Sequence, residues 1–142
     1  MDRPNESQLL AFARVMANLV AADGRVQPEE REELERVIQG VGLSPDDERV
    51  ASMLEAELKS PSPLAEIAKD VEEKELRGLL LRMMAELACV DGEVAAEERA
   101  KVCEAATLFG FEPAIADELV TWVLDSIAVE KREQDLMSRL MK

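Results

Sequence analysis

Histidine and tyrosine are both absent from this 142-residue chain, and aromatic residues make up only 3% of it. Without histidine there is no imidazole general base, no Ser-His or Cys-His nucleophile pair and no imidazole metal ligand. Two cysteines, Cys89 and Cys103, are too few for a zinc centre and do not form a Cys-x-x-Cys motif. They are expected to be reduced and semi-buried. Basic charge is also scarce, at 17 Lys and Arg against 31 Asp and Glu, a net charge of −14. Nucleic acid and anionic membranes carry the same sign and repel such a chain. A divalent cation, or a protein partner with a basic patch, is the natural counterpart. No apolar run approaches the roughly 20 residues of a transmembrane helix. The polar start MDRPNESQ does not read as a signal peptide, so a cytoplasmic location is expected.

What is abundant is Ala, Leu, Glu, Arg and Met, the composition of an all-α protein. One stretch occurs twice. MANLVAADGRVQPEEREELERVIQGVGLSP (16–45) aligns without a gap on MAELACVDGEVAAEERAKVCEAATLFGFEP (84–113). Each copy has an apolar helical run, Asp-Gly, Val, then Glu-Glu-Arg. Around this repeat the periodicity predicts a first helix to about Ala22 and a second from Pro28 to Gly40 or Gly42. A third runs from a Ser44-Pro45-Asp46-Asp47 start, with Ser44 as cap, to about Lys59, with Leu58 among its inward residues. Ser60-Pro61-Ser62-Pro63 breaks the chain, and a short fourth helix carries Leu64, Ile67 and Val71. The second half repeats the plan with helices around Leu76–Leu87, Ala96–Phe109 and Ile115–Ile127. A last segment, Glu130–Met141, is expected to dock on the bundle through Leu136, Met137, Leu140 and Met141. No strand pattern appears. A helix-turn-helix unit cannot bury its apolar stripe alone, so the two halves should pack on each other. The expectation is one compact bundle of about seven helices over residues 1–142, with Val26 and Val94 turned inward.

The stretch Asp-Gly-x-Val-x-x-x-Glu invites comparison with a calcium-binding EF-hand loop. Asp23, Gly24, Val26 and Glu30 match its second half, as do Asp91, Gly92, Val94 and Glu98. The first-half ligand places fall on Leu19, Ala21, Leu87 and Cys89, none of which offers a side-chain oxygen. Neither copy is a complete EF-hand. Two readings stand. In one, Asp23, Glu30, Asp91 and Glu98, with Glu29, Glu93 and Glu97 as alternative ligands, hold Ca²⁺ or another divalent cation. In the other, the same acids cap turns and complement helix dipoles, with Arg31 and Arg99 paired to the turn aspartates. A carboxylate- or metal-dependent hydrolase would draw on the same acids, but no nucleophile or substrate determinant accompanies them.

The doubled pattern Asp-Gly-x-Val-x-x-x-Glu, with a helix ending before Gly-(Leu/Phe)-x-Pro, resembles the TerB-like family. The matching stretches are Ala-Ala-Asp-Gly-Arg-Val-Gln-Pro-Glu-Glu at 21–30 and Cys-Val-Asp-Gly-Glu-Val-Ala-Ala-Glu-Glu at 89–98. The resemblance implies an all-α fold of about seven helices and a non-enzymatic role in stress-response complexes, tellurite resistance among them, through protein partners. It also implies a divalent metal at the Asp-Gly turns, which here points to Asp23, Glu30, Asp91 and Glu98. Gln27-Pro28 and Ala95-Ala96 lack the Ser or Thr cap of many relatives, which leaves more of the capping to the carboxylates. The purely structural alternative is a protein-interaction domain that holds no metal.

Overall fold

The computed structural model describes residues 6–22, 24, 26–89 and 92–142. Among them the chain forms seven helices and no strand: α1 (Glu6–Val20), α2 (Pro28–Gly40), α3 (Glu48–Lys59), α4 (Leu64–Ala68), α5 (Lys74–Ala88), α6 (Ala96–Leu108) and α7 (Ala114–Leu140). The repeat is structural as well as sequential. An offset of 68 residues (74 − 6, and equally 96 − 28) carries α1 onto α5 and α2 onto α6. The second helices also close alike. Leu43 N–H reaches Ile38 O at 3.1 Å, and Phe111 N–H reaches Ala106 O at 2.8 Å. Each is the six-residue closure that satisfies an otherwise orphaned helix-end carbonyl.

The core is one apolar cluster to which all seven helices contribute, including Phe12, Met16 and Leu19 of α1 with Leu80, Met84 and Leu87 of α5. α1 lies at its centre and packs on α2, α3, α4, α5 and α6. Burial of several large side chains at roughly 1.5–3 kcal/mol each supplies the main driving force.

Three local expectations change. Helix α3 is capped by Asp47, whose Oδ1 accepts from Arg49 N–H at 2.9 Å. Ser44 instead opens the turn before it, accepting from Asp47 N–H at 3.1 Å. Asp47 has an extended ψ of 128°, so the helix starts one residue after it. Val26 is exposed, while Val94 packs against the core. The second turn lies beside α7, whose Lys131 reaches Gly92, and that corner is the shielded one.

The third change is the largest. Residues 114–140 form a single helix, since no Gly or Pro interrupts them. Its first half packs through Ala116, Val120 and Val123, but from residue 128 onward every residue is exposed. Leu136, Met137, Leu140 and Met141 therefore do not dock, and Leu140 is 76% exposed. A straight helix cannot turn back to the bundle without a breaker.

Candidate functional site

The glycines of the two Asp-Gly turns share one conformation. Gly24 has φ +76° and Gly92 φ +88°, a left-handed conformation that costs glycine nothing sterically. Gly24 N–H bonds Ala21 O at 3.1 Å, and Gly92 N–H bonds Cys89 O at 2.8 Å. Asp23 and Asp91 lie outside the described residues. Of the other candidate ligands, Glu30 and Glu98 are both buried, each 4% exposed, while Glu29, Glu93 and Glu97 face solvent.

Glu30 sits in the first turn of α2, where the helix dipole favours negative charge. Its Oε1 accepts from Gln27 N–H at 3.4 Å, a backward cap of the helix start. Its Oε2 is buried with no hydrogen-bond partner among the described residues. A carboxylate oxygen removed from water without a partner is costly. Glu98 takes the matching place in α6. No residue of α2 comes within 8 Å of α6, Cα to Cα. Nor do three acidic or cysteine side chains group around a common point among the described residues.

The turns differ in what faces them. Lys131 Nζ stands 3.1 Å from the position that a Cβ on Gly92 would take. The second turn thus has an ammonium from α7 against it. The matched arginines bind neighbouring helices. Arg31 pairs with Glu55 of α3 and with Glu35, and Arg99 Nε lies 3.0 Å from Asp117 Oδ1 of α7. The Glu55 hydrogen bond, ahead of the opposing cost of desolvation, raises the Arg31 pKa, and the same bond lowers that of Glu55.

Sequence reasoning missed a polar centre in the first half. Glu57 is only 2% exposed. Its Oε1 accepts from Arg14 Nε (3.0 Å) and Ser62 Oγ (2.9 Å). Its Oε2 accepts from Asn18 Nδ2 (2.9 Å) and Ser62 N–H (2.6 Å). Asn18 Nδ2 also donates to Ser62 O at 2.7 Å. Burial pushes the Glu57 carboxyl up, but the bonds from Asn18, Ser62 and Arg14 outweigh it and hold the group below its ordinary value. The centre ties the Ser-Pro-Ser-Pro link to α1. Gln8 does the same for the next link, donating to Asp70 O and accepting from Glu72 N–H. The one sequence signal was a glutamate at helical spacing among Val50, Leu54 and Leu58, where Glu57 is buried and Leu58 only partly so.

Elsewhere, α2, α5 and α7 border a groove of about 420 Å³ lined by Glu33, Arg82, Glu86, Trp122, Ile127 and Glu130. Trp122 is 47% exposed, and the Arg82 guanidinium lies 5.3 Å from its ring centre. Arg82 Nε also bonds Glu86 Oε1 at 2.9 Å.

Among known proteins, the sequence profile described as "Tellurite resistance protein TerB" matches residues 7–119, well over half of the chain. No curated protein and no solved structure matches it.

Proposed function

Because the chain belongs to the TerB family, we propose that it is a non-enzymatic interaction module of a stress response, and that it holds a divalent cation at its first Asp-Gly turn. The buried, unpartnered Oε2 of Glu30 carries the cation reading. A hard cation such as Ca²⁺ takes oxygen ligands and would satisfy that atom. Asp23 and Glu30 are the residues to hold it, with the exposed Glu29 as a further donor. When bound, the ion would supply positive charge against the buried Glu30 carboxylate. Asp91 and Glu98, with Glu93 and Glu97 nearby in sequence, would hold a second ion only with Lys131 moved aside. Binding through the acidic surface to a protein with a basic patch follows from the net charge of −14. The missing histidine and tyrosine support a role without catalysis. A cytoplasmic setting agrees with the absence, among the described residues, of any helix long and apolar enough to cross a membrane.

Thermal unfolding in EDTA and in millimolar Ca²⁺ tests the reading, because a ligand of the native state raises stability, by about 2.7 kcal/mol at a hundredfold excess over Kd. The expected result is a Ca²⁺-dependent rise in Tm that Glu30→Gln abolishes and Glu98→Gln leaves intact. Equal melting in both solutions would favour a metal-free interaction domain. That second reading draws on the capping bond from Gln27 to Glu30 and on the ammonium already at Gly92.

A further inference from the structure

The repeat shows that one seat in the bundle is filled and its twin is open. The 68-residue offset pairs Arg14 with Arg82, Asn18 with Glu86, Leu54 with Trp122 and Glu57 with Asp125. In the first half, those α1 and α3 positions are covered by the chain itself. Ser62 bonds Arg14, Asn18 and Glu57, and α4 follows, packed against α1 and α6. α4 presents Leu64, Ile67 and Ala68, a spacing of i, i+3, i+4, each only 2% exposed. The twin of that seat lies between α5, α2 and α7. There the chain sends no fourth helix, because α7 runs straight on. What stands there is the 420 Å³ groove with its half-exposed tryptophan.

We propose that the groove is filled by the C-terminal end of α7 from a second copy of this chain, and reciprocally, in a two-fold dimer. The end of α7 offers Met137, Leu140 and Met141 at the same i, i+3, i+4 spacing as the apolar residues of α4. All three are exposed, Leu140 and Met141 by more than three quarters. The overhang begins next to the groove but extends away from it, so a chain cannot fill its own. Charge agrees in balance: residues 131–142 carry Lys131, Arg132, Arg139 and Lys142 against Glu133 and Asp135, with Arg139 paired to Asp135, and the groove wall carries Glu33, Glu86 and Glu130 against Arg82. Lys131 lies against the Gly92 turn, which fixes the rotation of α7 at the point where the overhang leaves the bundle. The match to the TerB family ends at residue 119, so both Trp122 and the overhang belong to the segment beyond it. Two reciprocal insertions double the contact that one would make, and a specific interface needs about 1,200 Å² in total. The proposal does not depend on any cation.

Trp122 is the only tryptophan, which makes the test direct. Sedimentation of the full chain from about 1 to 200 μM should show the mass rising toward twice that of the monomer, and Met137→Glu/Leu140→Glu should stay monomeric. A second experiment mixes that variant, whose groove is intact, with Trp122→Ala, whose overhang is intact and which has no tryptophan. The emission of Trp122 should shift to the blue as the Trp122→Ala chain is added. Three results would overturn the proposal: a monomer at every concentration, even one that binds anionic vesicles through Met137 and Leu140; a dimer that survives Met137→Glu/Leu140→Glu; or association with unchanged emission on mixing, which would mean that the overhangs pair with each other.

Discussion

Replacing Glu57 by alanine should cost about 2–4 kcal/mol of unfolding free energy, chiefly from the buried donors it leaves without acceptors. The carboxylate accepts four hydrogen bonds inside the protein. Its loss leaves the Ser62 N–H without an acceptor, a desolvation cost of about 1–3 kcal/mol, and weakens the hold on Asn18, which keeps only Ser62 O. Arg14 contributes little to the total, because its side chain is 43% exposed and turns to water. Glu57→Gln should be milder, at about 1–2 kcal/mol, since the amide oxygen keeps Ser62 N–H and Asn18 while the amide NH₂ donates to the Ser62 hydroxyl. Urea unfolding at neutral pH measures both, and the alanine variant should melt on the order of 10 °C lower. The pH dependence has a definite sign. The folded pKa of Glu57 lies below its ordinary value of 4.5. Its stabilising contribution is therefore complete above about pH 4.5 and lost as the pH falls through the folded value. The gap between wild type and Glu57→Gln should narrow over that acid range. An alanine variant within about 1 kcal/mol of wild type, or a glutamine variant as unstable as alanine, would refute the hydrogen-bond accounting.

Two further outcomes follow from the turns and the overhang. Gly24→Ala and Gly92→Ala should each lose about 1 kcal/mol to the left-handed backbone, with a further loss at Gly92 where the new Cβ meets Lys131 Nζ. Adding Lys131→Ala should bring the second variant level with the first in urea unfolding. Brief trypsin treatment of dilute native protein should cut first after Lys131 and Arg132, in the exposed part of α7, and mass spectrometry of the fragments identifies the site. First cuts in α1 or α5 would contradict the burial pattern.

The seven helices were legible because apolar residues at i, i+3 and i+4, Asp-Gly stops and proline starts all act within a few residues of one another. The repeat gave the pairing of halves for the same reason. Long-range facts were not legible. The sequence showed Glu57 as one acid among 31. Only packing brings Arg14, Asn18 and Ser62 to it, from 43, 39 and 5 residues away. The fate of the end of α7 is not legible either, because an amphipathic stripe says that a face wants cover but not where the cover is. At the candidate metal site the sequence located the turns and the two buried glutamates. It did not reveal that Lys131, 39 residues beyond Gly92 (131 − 92), stands against one turn.

The central place of α1 also separates the molecule by rate of opening. Five other helices pack on it, and the residues from Val15 to Val20 are all buried. Amides there have no local route to solvent. Their hydrogen exchange therefore waits for the whole bundle to open and reports its global stability. The last turns of α7 have no such cover and exchange by fraying at the helix end. A single exchange experiment on this chain thus contains two clocks, one for the bundle and one for whatever grips the overhang.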